Sequence, residues 1–286
     1  MVVDFHTHTF PDKIAAATVQ KLQSASHTHP FTDGTVQALA ASMRTAGVNY
    51  SVVLPVATSP RQVVHVNDSS AELNRHAGES GILSFGCMHP DFPDWKAELS
   101  RIHAMGMRGI KLHPVYQGVD FDDPRYLRIL DRAGELGLMV LIHAGFDVGF
   151  PGVMRCSPEM ILRAVKSVGK MTLILAHMGG WRCWDEVERL LPGSGVYLDT
   201  SFALGSMVSN GDGYYKTPEE LSLLGEEQFV RMIRLFGADK VLFGTDSPWG
   251  EQKGALEQFY GLPLSDEEKA AVSGGNAARL LGLEHS

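Results

Sequence analysis

The sequence predicts a distorted (β/α)8 TIM barrel with an inserted segment after the first strand and extra helices at the C-terminus. Three observations support this prediction. Eight short apolar segments alternate with helical segments along the 286 residues. The apolar segments are continuous, which is typical of parallel strands that are covered on both faces. Histidine, lysine and aspartate residues follow many of these segments at their carboxyl ends.

The chain length is consistent with one domain over residues 1–286, because such a barrel needs about 250 residues. Apolar residues make up 44% of the chain, which is enough for a large core. A doubly wound open sheet is the alternative architecture, but it does not easily explain the residues at the strand ends.

Each predicted strand is a short run rich in Val, Ile, Leu or Met. The eight strands cover residues 2–5, 51–56, 82–88, 107–112, 138–142, 171–176, 196–199 and 240–243.

The predicted helices follow from apolar residues at helical spacing and from residues that start or stop a helix. The second helix begins at Thr35 and ends before Gly47, and a capping box starts at Ser265 near the C-terminus. Residues 24–34 are predicted to be a loop. The other helices cover residues 13–22, 61–76, 95–105, 124–136, 158–168, 184–191, 226–236 and 276–281.

Charge and composition exclude several classes of partner. The net charge is −8 and no basic run stands out, which argues against nucleic acid. No apolar run approaches the ~18 residues of a membrane span, so we expect no such span. The first residues read as a strand with no basic or apolar leader region, so we expect no secretion signal. The cysteines Cys87, Cys156 and Cys183 are odd in number and far apart, so we expect no disulfide framework and a reducing, cytoplasmic setting.

The strand ends carry a set of candidate metal ligands. His6 and His8 share one side of the first strand because side chains alternate with a period of two. Since the carboxyl ends of barrel strands surround one mouth, residues from several strands are expected to converge there. Histidines with one carboxylate suit Zn²⁺ or a similar divalent ion. The candidate ligands are His6, His8, His143, His177 and Asp246.

This ligand set resembles that of the amidohydrolase superfamily. Residues 109–114 (Gly-Ile-Lys-Leu-His-Pro), 141–145 (Leu-Ile-His-Ala-Gly), 244–249 (Gly-Thr-Asp-Ser-Pro-Trp) and 276–281 (Asn-Ala-Ala-Arg-Leu-Leu) are similar to its amidohydrolase-2 branch. The resemblance covers essentially the whole chain. It implies a metal-dependent enzyme, in a branch that includes hydrolases of lactones and amides. The branch also includes nonoxidative decarboxylases similar to aminocarboxymuconate-semialdehyde decarboxylase.

The expected chemistry uses a metal-activated water that attacks a carbonyl carbon. Asp246 is the candidate general base, because a carboxylate can touch the metal and hydrogen-bond its water together; the resemblance implies the same role. His177 either orients the water and stabilises the oxyanion in a one-metal site, or binds a second ion in a two-metal site.

Lys111 ends the fourth predicted strand, and an unmodified ammonium cannot bind a cation. Its context is similar to the Lys-Leu-Tyr-Pro of dihydroorotases, where the resemblance implies a CO₂-modified lysine that bridges two metals. The alternatives are a cationic lysine that binds an acidic substrate group and a structural salt bridge.

Three further residues are candidate substrate contacts, each with a structural alternative. His113 lies two residues after Lys111, so its side chain is expected to face the same side of the strand. It also ends the strand before a proline, which is the structural alternative. Arg182 suits a substrate carboxylate but is also expected to be exposed early in a helix. Trp249 follows Asp246 and either walls the pocket or packs in the core. Residues 201–220 resemble a mobile cover and equally an ordinary loop. The histidines expected at the surface are His27, His29, His65, His76, His103 and His285.

Three functions are consistent with these residues. The leading one is a metal-dependent hydrolase of a small cyclic ester, amide or related carbonyl compound. The second is a metal-dependent decarboxylase of a small carboxylic acid, and the third is a non-enzymatic binding protein. The expected cofactor is one or two Zn²⁺ ions and the expected partner is a small-molecule substrate; a homo-oligomer is left open.

Overall fold

A computed structural model describes residues 1–283 of the chain. The chain divides into two compact units. The first unit comprises Met1–Val52, Val148–Pro151 and Asp199–Ser286, and the second comprises Val53–Asp147 and Gly152–Leu198. The prediction of a single domain over residues 1–286 stays a prediction, and His285 lies outside the described residues.

The strands occupy every position that the sequence predicts. The structure has one strand more, because the predicted strand over residues 82–88 is divided into two strands on either side of Phe85. The described strands are β1 (Val3–Thr7), β2 (Tyr50–Val53), β3 (Ile82–Ser84), β4 (Gly86–Cys87), β5 (Gly109–Leu112), β6 (Met139–Ile142), β7 (Leu173–Leu175), β8 (Tyr197–Asp199) and β9 (Val241–Leu242).

The helices follow the predicted order with some additions. The described α-helices are α1 (Asp12–Ser26), α2 (Val36–Ala46), α3 (Val63–Arg75), α4 (Ala77–Ser80), α5 (Trp95–Ala104), α6 (Pro114–Gln117), α7 (Pro124–Glu135), α8 (Pro158–Ser167), α9 (Trp184–Leu190), α10 (Pro218–Leu221), α11 (Glu226–Phe236), α12 (Gln252–Gly261), α13 (Asp266–Ala270) and α14 (Asn276–Leu281). A π-helical turn, Ala271–Gly275, joins the last two.

The predicted helix caps are confirmed where side chains hold the first turn. The Thr35 hydroxyl accepts a hydrogen bond from the Ala38 N–H, and Ser265 forms the predicted capping box with Glu268. The prediction lacked the short helices α4, α6 and α10 and was wrong at two further places. It ended α1 early and assigned residues 24–26 to a loop. It also missed α12, because Gly254 within this helix and Gly261 at its end weaken the helical pattern.

The second unit is built on a parallel sheet. Strands β4, β5, β6, β7 and β8 are neighbours in that order, and Lys111 pairs with Leu141 and Ile142 with Leu175 in register. The β5, β6 and β7 side chains are almost all buried, as continuous apolar strands require. Helix α7 buries one face at helical spacing through Tyr126, Ile129, Leu130 and Ala133.

The first unit is organised around β1 and β9. The Phe5 N–H donates to the Phe243 carbonyl over 2.8 Å, and the Thr200 N–H donates to the Leu242 carbonyl over 3.0 Å. The strand β9 therefore lies between β1 and the chain that follows β8. Among the described residues, no helix is both long and apolar enough to cross a membrane. All three cysteines are free and buried.

Candidate metal centre

Two histidines and one aspartate converge in the first unit. The Nε2 atoms of His6 and His8 lie 3.1 Å apart. The Oδ1 atom of Asp246 lies 3.3 Å from the His6 nitrogen and 3.1 Å from the His8 nitrogen. The three atoms thus face one point, as the sequence predicts for these residues.

Backbone hydrogen bonds hold the Asp246 loop against β1. The Asp246 N–H donates to the His6 carbonyl over 2.8 Å, and the His8 N–H donates to the Ser247 carbonyl over 2.6 Å. Asp246 has a positive φ of 65°, an uncommon backbone conformation for a residue other than glycine. A side chain at Gly244 would come within 2.9 Å of the His6 Cβ, so this close approach requires glycine.

The buried carboxyl group of Asp4 holds the same loop through hydrogen bonds to Thr245. It accepts hydrogen bonds from the Thr245 N–H at 3.0 Å and from the Thr245 hydroxyl at 2.6 Å. The Gln252 amide also donates to it, over 2.8 Å. Burial raises the pKa of Asp4 to about 7, although these hydrogen bonds act in the opposite direction.

The other ring nitrogen of His6 faces a carboxylate that the sequence analysis did not single out. His6 Nδ1 lies 2.8 Å from Asp199 Oδ2 and 2.9 Å from Ser201 Oγ. The Ser201 hydroxyl donates to Asp199 Oδ1 over 2.5 Å. The available signal was an acidic residue at the end of the predicted strand over residues 196–199, which follows a run of apolar residues.

In the second unit, the two remaining predicted ligands lie together. His143 Nδ1 is 3.1 Å from His177 Nε2. His143 Nε2 lies 2.9 Å from the Phe146 carbonyl, so that nitrogen carries the proton and Nδ1 keeps its lone pair. Burial, followed by the neighbouring His113, lowers the pKa of His143 to about 3. The ring is therefore neutral at physiological pH, the form that a metal ligand needs.

The loop of His177 is fixed by close backbone contacts. His177 has a positive φ of 59°, and its carbonyl accepts a hydrogen bond from the Trp184 indole over 3.0 Å. Gly145, next to this loop, has φ 82° and could carry no side chain, because the Trp181 backbone would lie 2.3 Å from its Cβ. The sequence Ala-Gly after His143 thus allows the two segments to pack together.

His113 lies beside His143 and His177, which agrees with the side of the strand that the sequence predicts for it. Its ring stacks on His143 with centroids 4.2 Å apart, and on Tyr116 at 3.9 Å. His113 Nε2 lies 3.4 Å from Oδ2 of Asp147, a buried carboxylate that the sequence analysis missed. His113, His143 and Asp147 also form a group with metal-ligand distances, but His143 would have to use the nitrogen that faces Phe146.

Lys111 and Arg182, two further residues that the sequence singles out, differ in their exposure to solvent. The Lys111 side chain is buried, with an exposed fraction of 1%, on strand β5. Arg182 is exposed, and its guanidinium lies 4.9 Å from the Trp181 ring centroid. The exposure of Arg182 agrees with the structural alternative stated above, whereas the burial of Lys111 does not decide among its three alternatives. A contact with substrate stays a prediction for both residues.

Trp249 is half-buried and lines a cavity of roughly 210 Å³ in the first unit, together with Phe31, Phe202 and Met207. Residues 201–220 contribute to this wall and are tied to the end of α1. The His29 N–H donates to the Val208 carbonyl, and the Asn210 N–H donates to the His27 carbonyl. The predicted cover is thus anchored at these points, and its mobility stays a prediction.

The donor set fits a divalent ion. Two imidazole nitrogens and a carboxylate oxygen are ligands that Zn²⁺ and related ions accept. The Nδ1 atom of His6 is already bound to a carboxylate, which leaves Nε2 for the ion. The first unit therefore contains a candidate metal centre formed by His6, His8 and Asp246.

Comparisons with known proteins agree with this geometry. The sequence profile described as "Amidohydrolase" matches residues 3–283. No curated protein is similar enough in sequence to match the chain.

Solved structures match along almost the whole chain. A TIM-barrel protein from Bordetella bronchiseptica has a TM-score of 0.72 and 19% identity, over 98% of each chain. A Pseudomonas putida protein, assigned provisionally as a 2-pyrone-4,6-dicarboxylic acid hydrolase, has a TM-score of 0.65 and 18% identity, over 100% of this chain and 98% of that one. A dihydroxybenzoic acid decarboxylase from Polaromonas, solved with manganese and 2-nitroresorcinol, has a TM-score of 0.66 and 15% identity over the same shares.

The likeness to these structures shows the fold, which is the TIM barrel that the sequence predicts. The family match covers nearly every residue and includes all the strand-end histidines named above. The family match confirms an enzyme of amidohydrolase type. The chain belongs to the amidohydrolase family, in its amidohydrolase-2 branch.

Proposed function

We propose that the protein is a metal-dependent hydrolase of a small carbonyl compound, such as a cyclic ester or an amide. The observation that carries this proposal is the convergence of His6 Nε2, His8 Nε2 and Asp246 Oδ1 in the first unit. We also propose His143 and His177 as ligands or water-orienting groups, since each follows the carboxyl end of a strand. The ion, when bound, lowers the pKa of a water molecule towards ~7 and polarises the substrate carbonyl.

The protein side chains have separate tasks in this proposal. His6 in β1 and His8 directly after it bind through Nε2, and the bond from the His8 N–H to the Ser247 carbonyl holds the second residue in place. Asp246 turns Oδ1 towards these nitrogens. Its second oxygen, Oδ2, takes the proton from the attacking water and returns it to the leaving group. The neutral ring of His143 offers Nδ1, because Nε2–H donates to the Phe146 carbonyl.

A decarboxylase is the second candidate, and the likeness to a dihydroxybenzoic acid decarboxylase supports it. In that reaction the bond to the carboxylate breaks, CO₂ leaves and the carbon receives a proton. Asp246 or His177 would donate this proton. The same structure contains manganese, so Mn²⁺ is a candidate beside the Zn²⁺ that the ligand types favour.

A substrate screen tests the proposal. Metal-free protein is reloaded with Zn²⁺ or Mn²⁺ and assayed against lactones, amides and aryl carboxylic acids, with a separate readout for released CO₂. Asp246→Asn, loaded in the same way, is the matched control. Hydrolysis without CO₂ that is lost in this variant supports the hydrolase, and CO₂ release supports the decarboxylase. Turnover that persists in metal-free protein would contradict both.

A further inference from the structure

We propose that Asp199, oriented by Ser201, is a positioning residue that fixes the tautomer and direction of His6 and so sets the affinity of the metal centre. This inference rests on the proposed function, because it needs an ion at His6. It concerns a carboxylate that is expected to touch neither substrate nor ion. Its action on the site runs through the His6 ring.

The hydrogen bonds around Asp199 define the proton positions. An ionised carboxylate only accepts, so the neutral imidazole of His6 places its proton on Nδ1, 2.8 Å from Asp199 Oδ2. The lone pair is then on Nε2, the nitrogen that faces His8 and Asp246. The opposite tautomer would direct an N–H at the ion and prevent binding.

Ser201 holds the carboxylate in the required direction. Its N–H donates to Asp199 Oδ1 over 3.1 Å and its hydroxyl donates to the same oxygen over 2.5 Å. These two bonds leave Oδ2 directed at His6. Asp199 is 0% exposed and His6 is 1% exposed, so water competes little for these bonds.

A buried carboxylate behind a ligating imidazole also makes the other nitrogen a stronger donor. Loss of such a partner typically weakens metal binding about 10- to 100-fold. Asn can still accept from His6 Nδ1 and donate to Ser201 Oγ, so Asp199→Asn keeps the bond to His6 but loses the charge and the hydrogen bond from the Ser201 N–H. Asp199→Ala removes the bond to His6 as well.

Thr200 provides a matched control on the same stretch of chain. Its hydroxyl donates to the Gly244 carbonyl over 3.0 Å and accepts from the Gly244 N–H over 2.9 Å, so both bonds hold the backbone of Gly244, after β9, and neither goes to the His6 ring. Thr200→Val removes buried hydrogen bonds of comparable number, and any loss of metal affinity through general loosening would appear there.

The experiment measures the dissociation constant of Co²⁺ for metal-free full-length protein by competition with a chelating dye, together with the visible spectrum of bound Co²⁺ and thermal unfolding of each metal-free variant. We expect Kd to rise about tenfold in Asp199→Asn and about 100-fold in Asp199→Ala, with a shifted spectrum. Thr200→Val should lower Tm and leave Kd and the spectrum unchanged.

Two results would overturn the inference: a Kd for Asp199→Ala within about twofold of wild type, or an equal loss in Thr200→Val. If Asp199→Ala fails to fold, Asp199→Asn and Ser201→Ala carry the test, and unchanged Kd values in both overturn it. His6→Ala separates the two proposals. Wild type that binds no better than His6→Ala contradicts the metal centre itself.

Discussion

The Nδ1 atom of His143 lies 3.1 Å from the Nε2 atom of His177. The Phe146 carbonyl occupies the other nitrogen of His143, and the Trp184 indole holds the His177 backbone. Two ring nitrogens at this distance either share one proton in a hydrogen bond or bind the same metal ion. The pair is therefore arranged for proton handling or for metal binding, and the variants below distinguish these roles.

His177→Asn should retain one ion per chain and lose most turnover. We expect this because a one-metal site uses His177 to orient the water and stabilise the oxyanion, a role worth about 10²- to 10³-fold in kcat. Metal content and kcat are measured on the same preparation. A fall in metal content in this variant would instead assign His177 as a ligand.

Asp246→Asn should keep much of the metal and lose about 10²- to 10⁴-fold in turnover. An amide oxygen can still lie near the two Nε2 atoms, but it accepts no proton near neutral pH. Elemental analysis and kcat give the two readouts. A near wild-type kcat would require another base, for which His177 is the next candidate.

Lys111→Ala decides whether a modified lysine bridges two ions. We expect one ion per chain in wild type and in this variant, when both are prepared with bicarbonate, because a cationic lysine is not a ligand. Two ions in wild type that fall to one, with loss of turnover, would show a carbamate bridge. The burial of Lys111 is consistent with either form.

Asp4 should make the stability of the metal-free protein depend on pH. Its pKa is raised from 3.8 to about 7 in the folded state, so folding favours the neutral carboxyl group. The neutral Asp4 carboxyl group therefore contributes on the order of a few kcal/mol to the free energy of unfolding. This stabilisation is fully present below about pH 3.8 and is lost as pH rises through 7.

Asp4→Asn should flatten the free energy of unfolding between about pH 4 and 7, relative to wild type. The amide also suits the site, because the Oε1 atom of Gln252 is buried without a hydrogen-bond partner in the part of the chain that the structure describes. Asp33→Asn, at an exposed carboxyl with a lowered pKa, is the control. Parallel pH profiles for wild type and Asp4→Asn would show that Asp4 does not titrate in this range.

The proximity of His6, His8 and Asp246 could be predicted because side chains alternate along a strand and the residues after barrel strands surround one mouth, while their role as ligands stays a prediction. His6 and His8 share a face through the period of β1, and Asp246 follows the strand that pairs with it. The partners behind the ligands were not predictable. The bond from His6 to Asp199 depends on which side chains turn inward at the end of β8, and Asp147 reaches His113 through the shape of a loop.

The helices show a similar division. Helices with strong amphipathic spacing, such as α7, matched the prediction, whereas α12 did not, because glycines and polar residues interrupt its apolar face. The gap at Phe85 within the third predicted strand has no signal in the sequence. Such details follow from tertiary contacts, which single-sequence patterns do not contain.

The most direct test of the metal centre is the metal content of purified protein in which both His6 and His8 are replaced by alanine. Elemental analysis of wild type should give about one divalent ion per chain, and the double variant should give none, because two of the three ligands of the centre are removed. His103→Ala, at an exposed histidine on α5, is the control and should match wild type. Equal metal content in wild type and the double variant, with the fold intact, would contradict the account.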